Sequence, residues 1–491
     1  MSDSTQERPL STRVTPRYGL FVAGCLLLVL ASCTGNGSSP TTTLTVLYTN
    51  DEHGWMEGME DSHGAANIYT LWQEQEGYKA NGNFLLLSGG DNWTGPAVST
   101  WTAGESMVDV MNAMHYDASA VGNHEFDFGL EALRQRTSEA TYPYLSANIV
   151  NRASGEHASE LGILPYTVKN VADLRIGIIG LTTIDTPGYT NPNHVQSLIF
   201  TDYESSLRKT VPAVQAEGVD LLFVISHVCV AELDPLIRST QDLGIDMVGA
   251  GHCNELVAKR IGDTVLLGGG FHFTSYAKAT FTFNTVENQR TGVHYTTNNN
   301  IDVDDDAGIA QMIEEWTAQT EEFLSEVIAH TDRSYPRGAG TLYQSIIDSW
   351  LWHDPSADVA ITNAGGIRID MPEGDIDLGT VVAMLPFDNT IFTLELSGAT
   401  IASAIEQGNR PVVAGLQSRD GNWILARTGQ PLNEDQRYRV LVNSFMYAGG
   451  DNYEVLAEED PDGFDTGINY RQPFQDWLKA QNSDSDNPLE L

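Results

Sequence analysis

Five segments of the chain each place polar residues that can bind a metal directly after a short apolar run. These residues are Asp51, His53, Asp91, Asn123, His227, His252 and Asn254. Two divalent metals about 3.5–4 Å apart can share a bridging carboxylate and clamp a phosphoryl group, and such a centre mixes oxygen and imidazole ligands. Taken singly, each residue could equally cap a turn or be a satisfied core histidine. Because five strand ends agree, the sequence predicts a two-metal centre.

The segment Gly122-Asn123-His124-Glu125 adds a second kind of chemistry to this centre. Asn123 offers a neutral oxygen to a metal. The adjacent His124 is not needed as a ligand, so it is left free to act as an acid or a hydrogen-bond donor. The spacing therefore predicts a ligand and an acid–base group side by side.

Alternating apolar runs and amphipathic stretches must position these residues. Strands are predicted over residues 44–48, 84–87, 175–181, 220–226 and 245–249, and helices over 106–114 and 204–217. Strands that alternate with helices are typical of a layered α/β domain. In such sheets ligands gather at the carboxyl ends of the strands, which is where the candidate metal ligands lie.

The second half of the chain has its own α/β pattern. An acidic cluster at 302–306 precedes a predicted long helix over 307–329, which we interpret as the connection between two domains. Further on, helices are predicted over 342–351 and 398–407, and strands over 358–362, 390–396 and 437–443.

The net charge of −40 excludes nucleic-acid polymers and anionic membrane surfaces as partners. Such acidity resembles that of salt-adapted proteins, whose carboxylates stay hydrated in brine. Ordinary solubility is the alternative, but −40 exceeds what solubility needs. We therefore predict a halophilic protein.

The first residues predict export. Arginines precede an apolar run from Gly19 to Ala31, which is too short to span a bilayer and is typical of a signal peptide. The run ends Leu30-Ala31-Ser32-Cys33, which resembles the bacterial lipoprotein signal with acylation of Cys33. An ordinary cleavage site with a chance cysteine is the alternative. Thr34 after the cysteine favours an outer-membrane anchor, facing the periplasm or the cell surface, and residues 33–43 form a flexible tether.

Cys229 and Cys253 each lie within two residues of a candidate ligand histidine. An exported protein permits a disulfide between them. Free buried thiols and metal ligation are the other possibilities, although the predicted centre is complete without them.

The motifs together resemble a known family, the calcineurin-like metallophosphoesterases in the version found in 5′-nucleotidases. The motifs that carry the resemblance are Thr49-Asn50-Asp51-Glu52-His53-Gly54, Gly89-Gly90-Asp91, Gly122-Asn123-His124-Glu125, Ser226-His227, Gly251-His252, Asn363-Ala364-Gly365-Gly366-Ile367-Arg368 and Gly449-Gly450-Asp451. The resemblance implies an α/β fold with a four-layer α/β/β/α metallophosphoesterase domain, a linker helix and a smaller α/β C-terminal substrate domain. We place these at residues 44–300, 301–335 and 336–491, after a signal peptide at 1–32.

The resemblance also implies roles for the candidate residues. One metal would be held by Asp51, His53, Asp91 and Asn254, and the other by Asp91, Asn123, His227 and His252. His124 would contact the phosphate or the leaving oxygen, and Asp127 would orient His124. Asn254 departs from the family, which usually has Gln or His there, so this ligand is expected to reach its metal through water. The ligand atoms suit Zn, Mn or Fe, and they do not discriminate among these three metals.

In the substrate domain, the resemblance implies that Phe445 stacks on the base and that Arg368 and Asp451 contact the substrate. The family commonly has a second aromatic opposite the first, but Asn409 to Ala414 contains none. Either the base is held on one face, or Tyr447 or Trp423 substitutes.

The resemblance therefore implies a metal-dependent phosphoric ester hydrolase acting on nucleoside 5′-monophosphates, with nucleotide-sugars or cyclic nucleotides as further candidate substrates. A thiosulfohydrolase-like enzyme on the same scaffold is one alternative, and a catalytically inactive nucleotide-binding lipoprotein is another. The sequence gives no indication of oligomeric state.

Overall fold

Two β-sheets packed face to face form the centre of the first half of the chain. The computed structural model describes residues 41–59, 63–419 and 421–491. The predicted signal peptide, the acylation site Cys33 and the tether up to residue 40 lie outside the described residues. Among the described residues, no helix combines the length and the apolar character that crossing a membrane requires.

The strands of the first half are β1 Thr41–Thr49, β2 Phe84–Ser88, β3 Ala118–Ala120, β4 Tyr144–Leu145, β5 Ile149–Asn151, β6 Ile163–Leu164, β7 Tyr166–Val171, β8 Leu174–Thr182, β9 Leu198–Phe200, β10 Leu221–His227, β11 Met247–Gly249, β12 Leu256–Ile261, β13 Thr264–Gly269, β14 Ser275–Asn284 and β15 Gln289–Asn299. The helices are α1 Ala65–Leu71, α2 Ala97–Trp101, α3 Glu105–Ala113, α4 Gly129–Glu139, α5 Thr186–Tyr189, α6 Pro192–Val195, α7 Tyr203–Ala216, α8 Val230–Ser239 and α9 Ala307–Leu324.

The two sheets order their strands β15-β14-β1-β2-β3-β4-β6 and β12-β13-β11-β10-β8-β7. Their facing sides share one apolar core, in which Val46 and Leu85 of the first sheet meet Ile176 and Phe223 of the second. The outer side of the first sheet is covered by α1 and α3, and that of the second by α7 and α8. The predicted four-layer α/β/β/α arrangement is confirmed.

Parallel pairing explains why the candidate ligands meet. Strands β1, β2 and β3 run parallel in one sheet, and β10 and β11 run parallel in the other. Each strand is buried at its carboxyl end, and the polar candidate ligands lie at that end or just beyond it. The five loops that leave these ends therefore collect at one side of the sandwich.

A second, smaller α/β unit follows. Its strands are β16 Val327–Thr331, β17 Val359–Asn363, β18 Gly374–Asp377, β19 Thr390–Ser397, β20 Pro411–Ala414, β21 Leu416–Arg419, β22 Asn422–Leu425, β23 Arg437–Asn443 and β24 Phe464–Asn469. Its helices are α10 Gly340–His353, α11 Leu378–Met384, α12 Gly398–Gln407, α13 Ser444–Tyr447, α14 Val455–Glu459 and α15 Gln472–Gln481.

The main sheet of this unit has the order β20-β17-β23-β19-β24. One face packs on α10 and α15 around Ile346, Trp350 and Phe474, and the other packs on α12 and α14 around Ile401 and Leu456. Residues Thr41 to Leu491 form one compact unit, so the two halves are in contact with each other.

Two predicted boundaries differ from the observed ones by three residues or more, and the others by two at most. β1 begins at Thr41, so the last three residues of the predicted tether pair with β14. The helix predicted over 307–329 ends at Leu324, because Val327 to Thr331 pair with β18 instead. The β-branched Val327 and Ile328 favour a strand. The helical periodicity of the preceding residues extends the predicted helix past Leu324.

Candidate metal centre and substrate cavity

The candidate ligands occupy tight turns after the strand ends. Asp51, His53, Asp91, His252 and Asn254 all have φ between 46° and 73°, in the left-handed region that non-glycine residues rarely adopt. Each such residue costs about 1–3 kcal/mol and persists only where the surroundings impose it. The three loops that carry these residues, after β1, β2 and β11, therefore orient the side chains at a cost in stability.

His227 lies at the centre of one group of ligand atoms. Its Nδ1–H donates to the carbonyl oxygen of Gly89 at 2.9 Å, so a neutral ring presents a lone pair at Nε2. Around that Nε2 lie Asp91 Oδ2 at 2.9 Å, Asn123 Oδ1 at 3.1 Å and His252 Nδ1 at 3.2 Å. The amide group of Asn123 donates to the carbonyl of Tyr189 at 3.3 Å, which turns its oxygen inward.

Four atoms with lone pairs thus converge on one point, where a proton or a cation must sit. The donor set, one carboxylate, one amide oxygen and two imidazoles, is the set that borderline divalent metals bind. The backbone carbonyl of Gly89, which accepts the Nδ1–H of His227, fixes the tautomer of the His227 ring, as such partners do for metal-binding histidines. These residues fit a metal.

A second group lies on the other side of Asp91. His53 Nε2 and His124 Nε2 each lie 4.0 Å from Asp91 Oδ2, and these three residues could hold an ion together. His53 Nδ1 contacts the carbonyl of Thr94 at 3.0 Å, which leaves Nε2 to face Asp91. Asp91 therefore belongs to both groups, the position that a bridging carboxylate requires.

Asp51 and Asn254 differ in their placement. Asp51 is buried, its Oδ1 accepts the backbone N–H of His252 at 3.1 Å, and its own N–H donates to the carbonyl of Gly90 at 3.0 Å. Asn254 shares the loop of His252, but its side chain is exposed and makes no hydrogen bond to other described residues. The structure thus brings together six of the seven predicted ligands and leaves Asn254 at the rim.

Burial and mutual charge shift the acidities of this cluster strongly. Burial raises the pKa of Asp51 to about 7. Burial also raises the pKa of Asp91. The nearby His227 and His124 outweigh this effect of burial and hold the Asp91 pKa well below its usual range. Burial lowers the pKa of His227, yet Asp91 and Asp51 carry it to about 9. An anionic Asp91 beside a cationic His227 therefore marks where a metal cation would take the proton's place.

His124 is held by carboxylates on both sides. Its Nδ1 lies 2.6 Å from Asp127 Oδ2, and the other Asp127 oxygen accepts the Thr190 hydroxyl at 2.9 Å. Burial lowers the pKa of His124, but Asp127 and Asp91 outweigh it and the net pKa is raised. The ring of Phe387, from the second half of the chain, stacks on His124 with centroids 5.7 Å apart.

Glu125 supports the loops that carry the candidate ligands. The sequence did not reveal this role, although Glu125 belongs to the predicted Gly122-Asn123-His124-Glu125 motif. Its fully buried carboxylate accepts backbone N–H groups of Asp91 at 3.0 Å, Asn92 at 2.7 Å and Gly122 at 2.6 Å. It thereby ties the loop after β2 to the loop after β3. Glu52 has a comparable position and accepts the N–H of Phe273.

A cavity of about 140 Å³ lies between the two halves and begins at His124. Residues of both halves line it: His124, Asp127, Tyr189, Thr190, Asn191, His194, Asn363, Gly365, Gly366, Arg368, Phe387, Asp388, Asn389, Asn409, Arg410, Phe445 and Asp451. All three residues predicted to bind substrate, Arg368, Phe445 and Asp451, are among them. Their roles stay predictions.

Phe445 and Asp451 form one end of this cavity. A Cβ on residue 450 would lie 2.3 Å from the Phe445 ring, so Gly450 allows the backbone to pack against that ring. The two carboxylate oxygens of Asp451 accept the side-chain amides of Asn363 at 2.7 Å and Asn409 at 3.1 Å. Asp451 has φ 56°, and these amides hold it in that turn.

Two guanidinium groups line the same cavity. Arg368 lies over the Phe387 ring at 5.6 Å, and no ion pair among the described residues includes it. A structural Arg held by a surface carboxylate would show such a pair. Arg410 was not singled out from the sequence, although it lies in the stretch without an aromatic.

Neither residue suggested as the second aromatic reaches the cavity. Tyr447 stacks on Phe392 with centroids 4.4 Å apart and donates its hydroxyl to the carbonyl of Asp460, and Trp423 packs on the core of the second unit. Tyr189, from the first half, lines the cavity instead and touches His252 edge-on at 4.9 Å. It was missed because it lies far along the chain from Phe445.

Cys229 and Cys253 form a disulfide, with their Cα atoms 5.2 Å apart. Of the three possibilities that the sequence leaves open, the disulfide is the one observed, so free thiols are excluded and neither sulfur is available as a ligand. Cys253 is exposed rather than buried, because it lies at the surface end of the loop that follows His252.

Sequence comparison finds 5′-nucleotidases among the proteins that are similar to this chain. Residues 317–458 match the family described as the 5′-nucleotidase C-terminal domain. A 5′-nucleotidase of Vibrio cholerae is 27% identical, over 94% of this chain and 97% of its own. The human 5′-nucleotidase is 28% identical, over 85% of this chain and 85% of its own.

Structural comparison agrees over nearly the same span. A crystal structure of a 5′-nucleotidase precursor from Thermus thermophilus superposes with a TM-score of 0.77 at 26% identity, covering 91% of this chain and 98% of that one. The sulfate thiohydrolase SoxB from the same species has a TM-score of 0.70 at 16% identity. At that identity the similarity shows the fold alone.

Proposed function

Because the chain is a homologue of the 5′-nucleotidases and carries their C-terminal domain, we propose that it hydrolyses nucleoside 5′-monophosphates with two bound divalent metals. Nucleotide-sugars and cyclic nucleotides are further candidate substrates. The observation that carries the proposal is a cavity that extends from His124, at the candidate metal centre, to Phe445 and Asp451.

Each group in the cavity has a part in this proposal. The ions, when bound, would lower the pKa of a water nucleophile and neutralise charge on the phosphoryl group. Asp91 would lie between the two ions, with His53 on one side and His227 on the other. Asp51, Asn123, His252 and, through water, Asn254 would complete the ligand sets.

The remaining groups would bind and orient the substrate. The guanidinium of Arg368, which forms no ion pair with another described residue, and that of Arg410 in the same cavity would hold phosphate oxygens, since a guanidinium donates in a fork that matches them. His124, oriented by Asp127, would stabilise the developing charge or protonate the leaving oxygen. Phe445 would stack on the base, and Asp451 would accept ribose hydroxyls.

This cavity favours a nucleotide over the alternatives. Thiosulfate as the substrate would make no use of the end of the cavity that Phe445 and Asp451 form. A protein that only binds nucleotides would have no use for the convergent ligands around His227 or for the His124–Asp127 pair.

Phosphate release by metal-reconstituted protein in high salt tests the proposal. Adenosine 5′-monophosphate, adenosine 3′-monophosphate, a phenolic phosphate, a nucleotide-sugar, a cyclic nucleotide and thiosulfate should be compared, with Asp91→Ala as the inactive control. We expect the 5′-monophosphate to be preferred over the 3′ isomer. Sulfate release from thiosulfate, or no turnover of any ester, would overturn the proposal.

We also propose that the protein is an exported, outer-membrane lipoprotein, on the evidence of the Leu30-Ala31-Ser32-Cys33 ending alone. Mass spectrometry of the N-terminal peptide and detergent-phase partitioning test this. The parent should carry lipid on Cys33, and Cys33→Ser should move to the aqueous phase. Identical partitioning of the two proteins would contradict the proposal.

A further inference from the structure

The Cys229–Cys253 disulfide joins the two loops that carry His227 and His252. Cys229 follows His227 by two residues, after the end of β10, and Cys253 directly follows His252, after the end of β11. The bond therefore connects two neighbouring parallel strands at the edge where the candidate metal centre lies.

Two hydrogen bonds hold the same loops together. The Gly251 N–H donates to the carbonyl of Val228 at 3.2 Å, and the Glu255 carboxylate accepts the Val230 N–H at 2.8 Å. A Cβ on residue 251 would lie 2.7 Å from the Gly89 carbonyl and 3.0 Å from His227 Nδ1, so the loop passes very close to the ligands.

The two histidines are not equally supported without the disulfide. His227 is the fully buried last residue of β10. His252 is partly exposed, has a φ of 73° and lies in a loop whose next residues are exposed. His252 is therefore the ligand that would leave its position if the loop relaxed.

On the other side of Asp91, the described residues contain no disulfide, and backbone hydrogen bonds connect the loops. The N–H of His53 donates to the Asp91 carbonyl at 2.9 Å, and the N–H of Gly54 to the Asn92 carbonyl at 2.6 Å. The covalent tie thus supports one of the two candidate metal positions.

We propose that the Cys229–Cys253 disulfide is a positioning element for the metal position formed by Asp91, Asn123, His227 and His252. This rests on the proposed two-metal function. Breaking the tie lets the loop of His252 leave the left-handed turn, and the apparent affinity then falls with the fraction of chains whose loop is still in place. Exposed Cys253 also makes the bond accessible to a small reductant.

The first test compares parent and Cys229→Ser/Cys253→Ser proteins, both loaded with Mn²⁺ and challenged with a graded series of EDTA. Metal per chain is then counted by elemental analysis. We expect the parent to keep two ions where the variant keeps one, with the affinity of one position reduced about 10- to 100-fold, as for other outer partners of metal ligands. Asp202→Ala is the matched control, because it removes the cap of helix α7 and lowers stability without touching either loop.

Two outcomes contradict the proposal. In one, the double variant melts at a lower temperature but keeps both ions at the same EDTA concentration as the parent. In the other, it loses both ions together, as a generally loosened fold would. The first outcome would mean that the disulfide contributes only to the stability of the fold.

A second measurement guards against a variant that does not fold. The folded parent is treated with a water-soluble phosphine, which takes an oxygen from water while each sulfur gains a proton and becomes a thiol. Reduced protein, verified by its mass after alkylation, should lose one ion in the same EDTA series. Reduced protein that keeps both ions overturns the inference and leaves the proposed function standing. Oxidised protein that binds no metal contradicts both.

Discussion

The Nδ1 atom of His124 lies 2.6 Å from Oδ2 of Asp127, and this contact turns the opposite ring nitrogen toward Asp91. Phe387 covers the face of the same ring. His124 is thus fixed by a carboxylate from its own half of the chain and an aromatic ring from the other, and it meets the cavity with one nitrogen.

His124→Ala should keep both metals while kcat falls about 10²- to 10⁴-fold, the usual contribution of a positioned acid–base group. Asp127→Asn should also lower kcat, but by a smaller factor, because the His124 ring remains and loses only the charge that orients it. Elemental analysis and steady-state kinetics measure both effects. His115→Ala, an exposed histidine outside the site, should leave them unchanged. Loss of a metal with His124 would make it a ligand, as its 4.0 Å approach to Asp91 permits.

Glu125→Gln should weaken metal binding about 10- to 100-fold although Glu125 lies outside the predicted ligand set. Its carboxylate accepts three backbone N–H groups of the loops that hold Asp91 and Asn123. A glutamine amide would turn an NH₂ toward at least one of those donors and separate the loops. Isothermal titration with Mn²⁺ measures the affinity.

The matched control for that change is Glu131→Gln, an exposed glutamate of α4 paired with Arg134. It should bind metal as the parent does. Equal affinities for the Glu125 variant and this control would mean that the buried carboxylate has no part in holding the centre.

The strand-end polar residues could be predicted from the sequence because apolar strands and their polar ends are local features. Asp91 and His227 are recognisable in this way, and the α/β class follows from the same alternation. The helix predicted over 307–329 is too long by five residues, since it ends at Leu324 and nothing local shows that Val327 pairs with β18.

Contacts between distant segments could not be predicted. Phe387 on His124, Tyr189 in the cavity and the Cys229–Cys253 pairing all depend on how loops from different strands approach each other. The exposure of Asn254 has the same origin, since one residue beyond His252 the loop already turns to the surface.

Phe445→Ala should raise KM for nucleoside monophosphates about tenfold or more, because stacking on an aromatic is worth about 1–3 kcal/mol per base and about 1.4 kcal/mol is a factor of ten. Tyr189→Ala should act in the same direction, since it lines the same cavity from the other half. A small phenolic phosphate, which does not reach this end, should be hydrolysed nearly as before.

Trp352→Leu is the control for these changes, because Trp352 is 50% exposed on α10 outside the cavity. Equal losses on nucleotide and phenolic phosphate would assign Phe445 to core packing. For Tyr189, equal losses together with lost metal would assign it to the support of His252, which its ring contacts.

The stability of the protein should rise with NaCl into the molar range. A net charge of −40 implies strong self-repulsion, and the Debye length falls from about 10 Å at 0.1 M to about 3 Å at 1 M. Thermal unfolding followed by circular dichroism, with the metals kept saturating, measures this. A melting temperature that stays flat between about 0.1 and 2 M would reject salt adaptation.

The most direct test of the two-metal centre is an anomalous difference map from a crystal of the protein grown with Mn²⁺. We expect two peaks about 3.5–4 Å apart, with Asp91 between them, Asp51 and His53 beside one, and Asn123, His227 and His252 beside the other. A single peak, or a second peak coordinated by His124, would contradict this expectation.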